Sequence, residues 1–189
     1  MEHELNLAGA VLIAMPGLGD ERFDHSVIFI CAHSEEGAMG LVINKPAEEL
    51  AFSTLLEQLD IPQASDARDI RVHLGGPVDR GRGFVLHSMD YESSGSTIPI
   101  DGGFGMTATL DILQALAKGQ GPSRALLALG YSGWGPGQLE AEIVRNDWLM
   151  LPEARADLLF AEDEGGKWTS HLQAIGVDPV LLSPASGRA

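Results

Sequence analysis

Ser26-Val-Ile-Phe-Ile-Cys-Ala32, Ser34-Glu-Glu-Gly37 and Met39-Gly-Leu-Val-Ile43 follow one another almost without a break. The outer two segments are apolar and rich in β-formers, and the middle one is a polar turn, so together they predict a β-hairpin. The first run has no polar interruption, which predicts a strand buried on both faces. Upstream, Ala8–Met15 is another continuous apolar run, closed by Pro16-Gly17, and predicts a buried strand ahead of a Pro16–Phe23 loop. Downstream, Asn44-Lys45-Pro46 ends the hairpin. Glu48–Leu59 then has helical spacing, with Ala51, Leu55 and Leu59 on a face shared with Phe52 and Leu56.

After a polar linker, Pro62–Asp69, the segments Arg71–Leu74 and Phe84–His87 predict two strands that form a hairpin through Gly75-Gly-Pro-Val-Asp-Arg-Gly81. Tyr91–Ser96 is acidic and rich in Ser and Gly, and is the segment predicted to be most flexible. Ile98–Ile100 and Phe104–Thr107 predict short strands. Thr109 suits the N-cap of a helix through Lys118, stopped by Gly119. A strand at Ala125–Leu129, a glycine-rich segment, a helix from Gln138 to Arg145, a strand at Trp148–Leu151 and a helix at Lys167–Ile175 complete the chain. Early strands are joined by short turns and later ones alternate with helices. This predicts an α+β fold: one domain over residues 1–189, with a strongly curved, largely antiparallel sheet tending towards a barrel and helices packed outside it.

The composition narrows the function classes. The chain has 189 residues, 44% of them hydrophobic, which is enough for one sizeable core. Twelve basic residues against 27 acidic ones give a net charge of −15, a field that repels nucleic acid and anionic lipid. Lys45, Lys118 and Lys167 are scattered. The pairs Arg68/Arg71 and Arg80/Arg82 are interleaved with Asp66, Asp69 and Asp79. No helix pair reads as a helix-turn-helix with basic recognition residues. A single cysteine, Cys31, rules out an internal disulfide framework and suits a reducing compartment. Glu2 and Glu4 stand where a secretion signal would carry Lys or Arg, and no apolar run is long enough to span a membrane. A soluble cytoplasmic protein is expected.

The glycine-rich segment Gly130-Tyr-Ser-Gly-Trp-Gly-Pro-Gly-Gln-Leu-Glu-Ala-Glu142 is the most distinctive in the chain. Together with Ala14-Met15-Pro16, Gly37-Ala-Met-Gly-Leu-Val-Ile-Asn-Lys-Pro46, Gly75-Gly-Pro-Val78, Asn146-Asp-Trp148 and Trp168, it resembles the YqgE/AlgH family almost end to end. The resemblance implies a small cytoplasmic bacterial protein with a strongly curved sheet. It implies no established activity, although members are often labelled transcriptional regulators.

Each motif has a chemical reading and a plainer one. The glycine segment lies between a strand and a helix, where phosphate loops occur, but it lacks Gly-Lys-Ser/Thr, and Glu140 and Glu142 already face the helix's positive end. Pro136 starting the helix, with glycines letting Trp134 pack, accounts for it. Gly130-Tyr-Ser-Gly-Trp134 nearly copies the nucleophile elbow, with Trp134 in place of the last glycine, so Ser132 is a candidate nucleophile, with His171 and Asp147 or Asp157 as partners. Cys31, inside an apolar run, reads as a buried and inert thiol. His3, His25, His33, His73, His87 and His171 have no metal-ligand spacing, although His73 and His87 would approach across their hairpin, with His33 nearby; neither a metal nor any other cofactor is assigned.

Three function classes remain. In the favoured one, the loops Asn44-Lys45-Pro46, Gly75-Gly76-Pro77-Val78 and Gly130–Glu142 line a cleft for a small molecule or a partner protein's peptide, with Asn44, Lys45, Pro46, Gly75, Gly76, Pro77, Trp134, Gln138 and Glu140 as candidate binding residues. The second is a small-molecule hydrolase using Ser132, or acid–base chemistry at Glu140 and Glu142. Residues two apart on a helix point in different directions, which weakens the carboxylate version. The third, direct transcriptional regulation, is opposed by the charge.

Overall fold

The computed structural model describes residues 6–93 and 95–182. Glu2, His3, Glu4 and Ser94, which enter the reading above, lie outside the described residues. The strands are β1 (Val11–Ala14), β2 (Val27–Ser34), β3 (Gly37–Val42), β4 (Val72–Leu74), β5 (Val78–Ser88), β6 (Thr97–Ile100), β7 (Phe104–Thr107), β8 (Ala125–Trp134) and β9 (Trp148–Leu151). The α-helices are α1 (Phe52–Gln58), α2 (Leu110–Ala117), α3 (Gln138–Val144), α4 (Ala156–Leu159) and α5 (Lys167–Ala174). Among the described residues, eight strands run in the order β6-β7-β5-β8-β3-β2-β1-β9, and β4 lies beside β8. Every pairing is antiparallel except β4 with β8, and the sheet curls into a half-barrel.

The β2–β3 hairpin forms as its sequence predicts, with a register shift between Ile30 and Ala32. Along β2 the uninterrupted apolar run divides between two cores. Val27, Phe29 and Cys31 face one, with Leu41, Phe84, Phe104 and Leu126, and are covered by Trp168 and Phe160. Ile28 and Ile30 face the other, with Leu12, Trp134, Leu139 and Trp148. A third core packs α1 and α2, through Phe52, Leu56, Ile112 and Leu116, against Val72, Val85 and Leu127. Two-sided burial is why these strands lack polar alternation.

Two expectations are corrected. Arg71–Leu74 and Phe84–His87 are strands but not a hairpin: β8 inserts between them, Leu127 pairing with Val72 of β4 on one side and Val85 of β5 on the other. Leu126-Leu127-Ala128 is apolar on both faces and so takes the central place. The strand predicted to end at Leu129 continues to Trp134, and Ser132, Gly133 and Trp134 pair with Gly40, Met39 and Ala38 of β3. Gly130, at φ +75°, bends β8 where its partners change, and β5 bulges between Val78 and Gly83 opposite the bend. Such irregularities strengthen the local twist and curl the sheet. Helix α4 has no counterpart in the sequence reading.

Cys31 is 5% exposed, and burial pushes its thiol up to about 12. Native protein at neutral pH is therefore expected not to react with an aromatic disulfide reagent, and to release one equivalent of chromophore once denatured. Rapid labelling of the native protein would contradict this packing of β2.

Candidate binding site

The sequence places Lys167 in the first turn of α5, at the positive end of a helix, where a lysine is unfavourable. Its side chain turns inward and is 1% exposed. Lys167 Nζ donates to the carbonyl of Ile43 at 2.8 Å, just past the end of β3, and stands 3.0 Å from Glu164 Oε2 at ion-pair distance but outside hydrogen-bond geometry. The other carboxylate oxygen, Glu164 Oε1, lies 2.7 Å from His73 Nε2, and His73 is also 1% exposed. The second ring nitrogen of His73 faces the Leu127 carbonyl at 3.3 Å. Arg71, two residues before His73 and just ahead of β4, reaches Glu164 Oε1 at 3.6 Å and remains half-exposed. One carboxylate thus joins β3, β4 and α5 by gathering a lysine, a histidine and an arginine.

Electrostatics follow the geometry. Burial alone would raise the Glu164 carboxyl, but the hydrogen bond from His73 and the nearby Lys167 charge outweigh it and hold the group below its ordinary value. Burial draws Lys167 below its ordinary value in spite of Glu164. The cluster floors a cleft of about 220 Å3 between Arg68–Arg71, Ser123–Leu126 and Phe160–Lys167. Paired, perturbed and buried ionisable groups at the bottom of a cleft are a candidate functional site. Glu164 and Lys167 are only three residues apart, but His73 lies 91 residues before Glu164, so no local pattern in the sequence joins the histidine to the ion pair. The misplaced charge at the start of α5 was the available signal.

The residues singled out from sequence fall in several places. Asn44 Oδ1 accepts from Val27 N at 2.9 Å and its Nδ2 donates to the His25 carbonyl at 2.8 Å, while Lys45 Nζ donates to the Asp24 carbonyl. Both tie the end of β3 to the start of β2. Pro46 pairs with His73 and so borders the charge cluster. Gly75 and Gly76 press against the backbone of β8. Pro77, Trp134 and Gln138 line a second cleft, of about 360 Å3, with Phe23, Glu142 and Trp148. Trp134 itself is buried, in edge contact with Trp148 at 6.3 Å. Gln138 Oε1 accepts from Gly135 N at 3.0 Å, closing the turn before α3. Asn44→Ala removes two hydrogen bonds and strands the Val27 N–H, and is expected to cost about 1–3 kcal/mol in urea unfolding.

Glu140 and Glu142 diverge. His33 accepts from Leu7 N at Nδ1, so its Nε2 carries the proton and donates to Glu140, which this hydrogen bond holds below its ordinary value. Burial raises Glu142, and the indoles of Trp148 and Trp134 oppose that only in part. Glu142 Oε2 and Trp148 Nε1 are buried without a hydrogen-bond partner among the described residues. Ser132 is 1% exposed in β8 and its hydroxyl donates to the Gly75 carbonyl, a structural role. The three histidines expected to converge do not: His33 meets Glu140, His73 meets Glu164, and His87 meets the Ser88 carbonyl and Thr107 Oγ1.

Against this geometry, residues 11–180 match the family model described as DUF179, AlgH-like. The chain belongs to the AlgH-like family. Relatives within it include a UPF0301 protein of Cereibacter sphaeroides, 63% identical over 185 residues that cover 98% of this chain and all of the relative. A UPF0301 protein of Ruegeria pomeroyi is 55% identical over 186 residues, again covering 98% of this chain and the whole relative. The solution structure of the AlgH protein of Pseudomonas aeruginosa superposes with a TM-score of 0.78 at 38% identity, covering both chains fully. A crystal structure from Corynebacterium diphtheriae shares the fold, with a TM-score of 0.71 at 23% identity over 98% of this chain and 94% of that one. The designation UPF0301 names no activity. No helix among the described residues is long and apolar enough to cross a membrane.

Proposed function

We propose that this AlgH-like chain is a binding protein, an accessory or regulatory component of the cytoplasm rather than a catalyst. Its ligand, a small molecule or a segment of a partner protein, occupies the cleft above Glu164, His73 and Lys167. The observation that carries this reading is the burial of an ion pair and a histidine at the floor of an open cleft. Two ionised side chains out of water are costly unless something besides stability keeps them there. The catalytic alternatives lack working parts: Ser132 is committed to Gly75, Cys31 is buried, and Glu140 and Glu142 face different neighbours. Direct binding to nucleic acid is opposed by the charge of −15.

The test is a protein-observed NMR screen of the full chain with a mixed library of small metabolites and short peptides, run beside an esterase and phosphatase assay. Hits should shift the amides of residues 68–73, 123–126 and 160–167, and no turnover should appear. Hits confined to the Trp134–Trp148 cleft, or turnover abolished by Ser132→Ala, would overturn the reading.

A further inference from the structure

We propose that the cleft above Glu164 takes a small phosphate monoester, with the phosphate held by Arg71 and Arg124. The inference rests on the reading of that cleft as the ligand site and adds the ligand's chemistry. Its first support is the distribution of charge. Four of the chain's twelve Lys and Arg residues line this one cleft, Arg68, Arg71, Arg124 and Lys167, against three of its 27 Asp and Glu residues. In a strongly acidic protein, this is a local reversal of sign.

The second support is the state of the guanidinium groups. Arg68 is spent on structure: it donates to the carbonyls of Pro122 and Ser123 and so fixes the loop that presents Arg124. Arg124 is exposed, and its side chain has no partner among the described residues. Arg71 is half-exposed and has one loose contact, 3.6 Å from Glu164. Two forked donors at one cleft mouth suit the bidentate recognition of phosphate. Glu164 is already shared between the Arg71 and Lys167 charges and cannot neutralise both. A dianion would complete the balance better than a single carboxylate, since a phosphate monoester carries about −1.5 to −2 at neutral pH.

The third support is size and lining. About 220 Å3 holds only a small ligand, and Leu126 and Phe160 offer an apolar wall for its carbon part. Asp69 and Glu162 also border the cleft, but both are exposed, where water and salt weaken their repulsion.

The experiment titrates the 15N-labelled full chain, at constant ionic strength, with glycerol 3-phosphate, inorganic phosphate, succinate and glycerol. Glycerol 3-phosphate is expected to give saturable shifts around Arg71 and Arg124, and to bind more tightly than inorganic phosphate or succinate, with glycerol inert. Arg71→Gln and Arg124→Gln should each weaken it by about tenfold, the worth of one charged hydrogen bond. Arg22→Gln, in a surface pair with Asp20 elsewhere, should leave binding unchanged. Unchanged melting temperatures would show that both cleft variants fold. Absence of saturable shifts, equal binding of inorganic phosphate or succinate, or indifference to both arginine changes would overturn the proposal. If other library compounds still map to the cleft, the phosphate assignment falls and the binding reading stands; if none does, both fall.

Discussion

Gly76→Ala is expected to unfold at a much lower urea concentration than the wild type. Gly76 has φ +154°, and a Cβ there would lie 2.2 Å from both the carbonyl carbon and oxygen of Tyr131 and 2.5 Å from Ser132 N. All three atoms are backbone atoms of β8, the strand that holds β3, β4 and β5 together, so no side-chain rotation relieves the clash. Strain and overpacking each cost about 1–3 kcal/mol, and here they add at one position, so a loss of about 3 kcal/mol or more is expected. Gly133→Ala is the matched control. Gly133 lies in the same strand, its added Cβ would meet only Tyr131 Cε2 at 3.5 Å, and its backbone is not left-handed. That variant should unfold at the wild-type urea midpoint or slightly above it, since Ala is less costly than Gly within a strand by about 0.5–1 kcal/mol. Similar midpoints for the two variants would refute the close approach of Gly75-Gly76 to β8.

That contrast also explains what the sequence made legible. The strands from Val11 to Val42 could be read because their apolar runs are local and their turns carry turn residues. The helix at Gln138 could be read from its place between the glycine segment and the next strand, and the helix at Lys167 from its stop at Gly176. Gly130-Tyr-Ser-Gly-Trp134 was misread as loop because a run of glycines looks the same whether it turns or lets another backbone pass close by. Only the partner, Gly75-Gly76, distinguishes the two, and it lies in the connection between β4 and β5, as the bond from Ser132 to Gly75 spanning 57 residues illustrates. The charge cluster was illegible for the same reason. His73 reads as an ordinary strand residue and Glu164 as part of an acidic loop, and neither signals the other. Asn44 was legible as polar chemistry at a sheet end, but its two bonds to the start of β2 assign it to holding the sheet. The loop cleft gathers only Pro77, Trp134 and Gln138 of the nine residues singled out from sequence.

Removing both Lys167 and Glu164 is expected to cost less than the sum of removing each alone. Lys167→Met leaves Glu164, 9% exposed, without its ammonium partner and deprives the Ile43 carbonyl of its donor. Breaking a buried pair in this way costs about 3–5 kcal/mol, because the remaining charge stays out of water. Glu164→Gln should cost a similar amount by stranding Lys167. The double variant should be more stable than the sum of the singles predicts, with a coupling of about 1–3 kcal/mol, because it strands neither charge. Burial lowers Lys167 even with Glu164 beside it, so the intact pair is a poor net stabiliser and the penalty lies in breaking it. The pH dependence gives an independent check. Glu164 is held below its ordinary value of 4.5, so the unfolded chain takes up that proton first as pH falls. Its contribution is complete above about pH 4.5 and is lost as pH falls through the folded-state value. Urea unfolding from pH 7 downward should therefore show a shallower acid decline for Glu164→Gln than for wild type, while Glu140, also held low, keeps its share in both. Additive losses in the double variant together with an unchanged acid slope would mean that water in the cleft already screens Glu164 from Lys167, and the cluster would then be a solvated surface feature rather than the buried floor of a binding site.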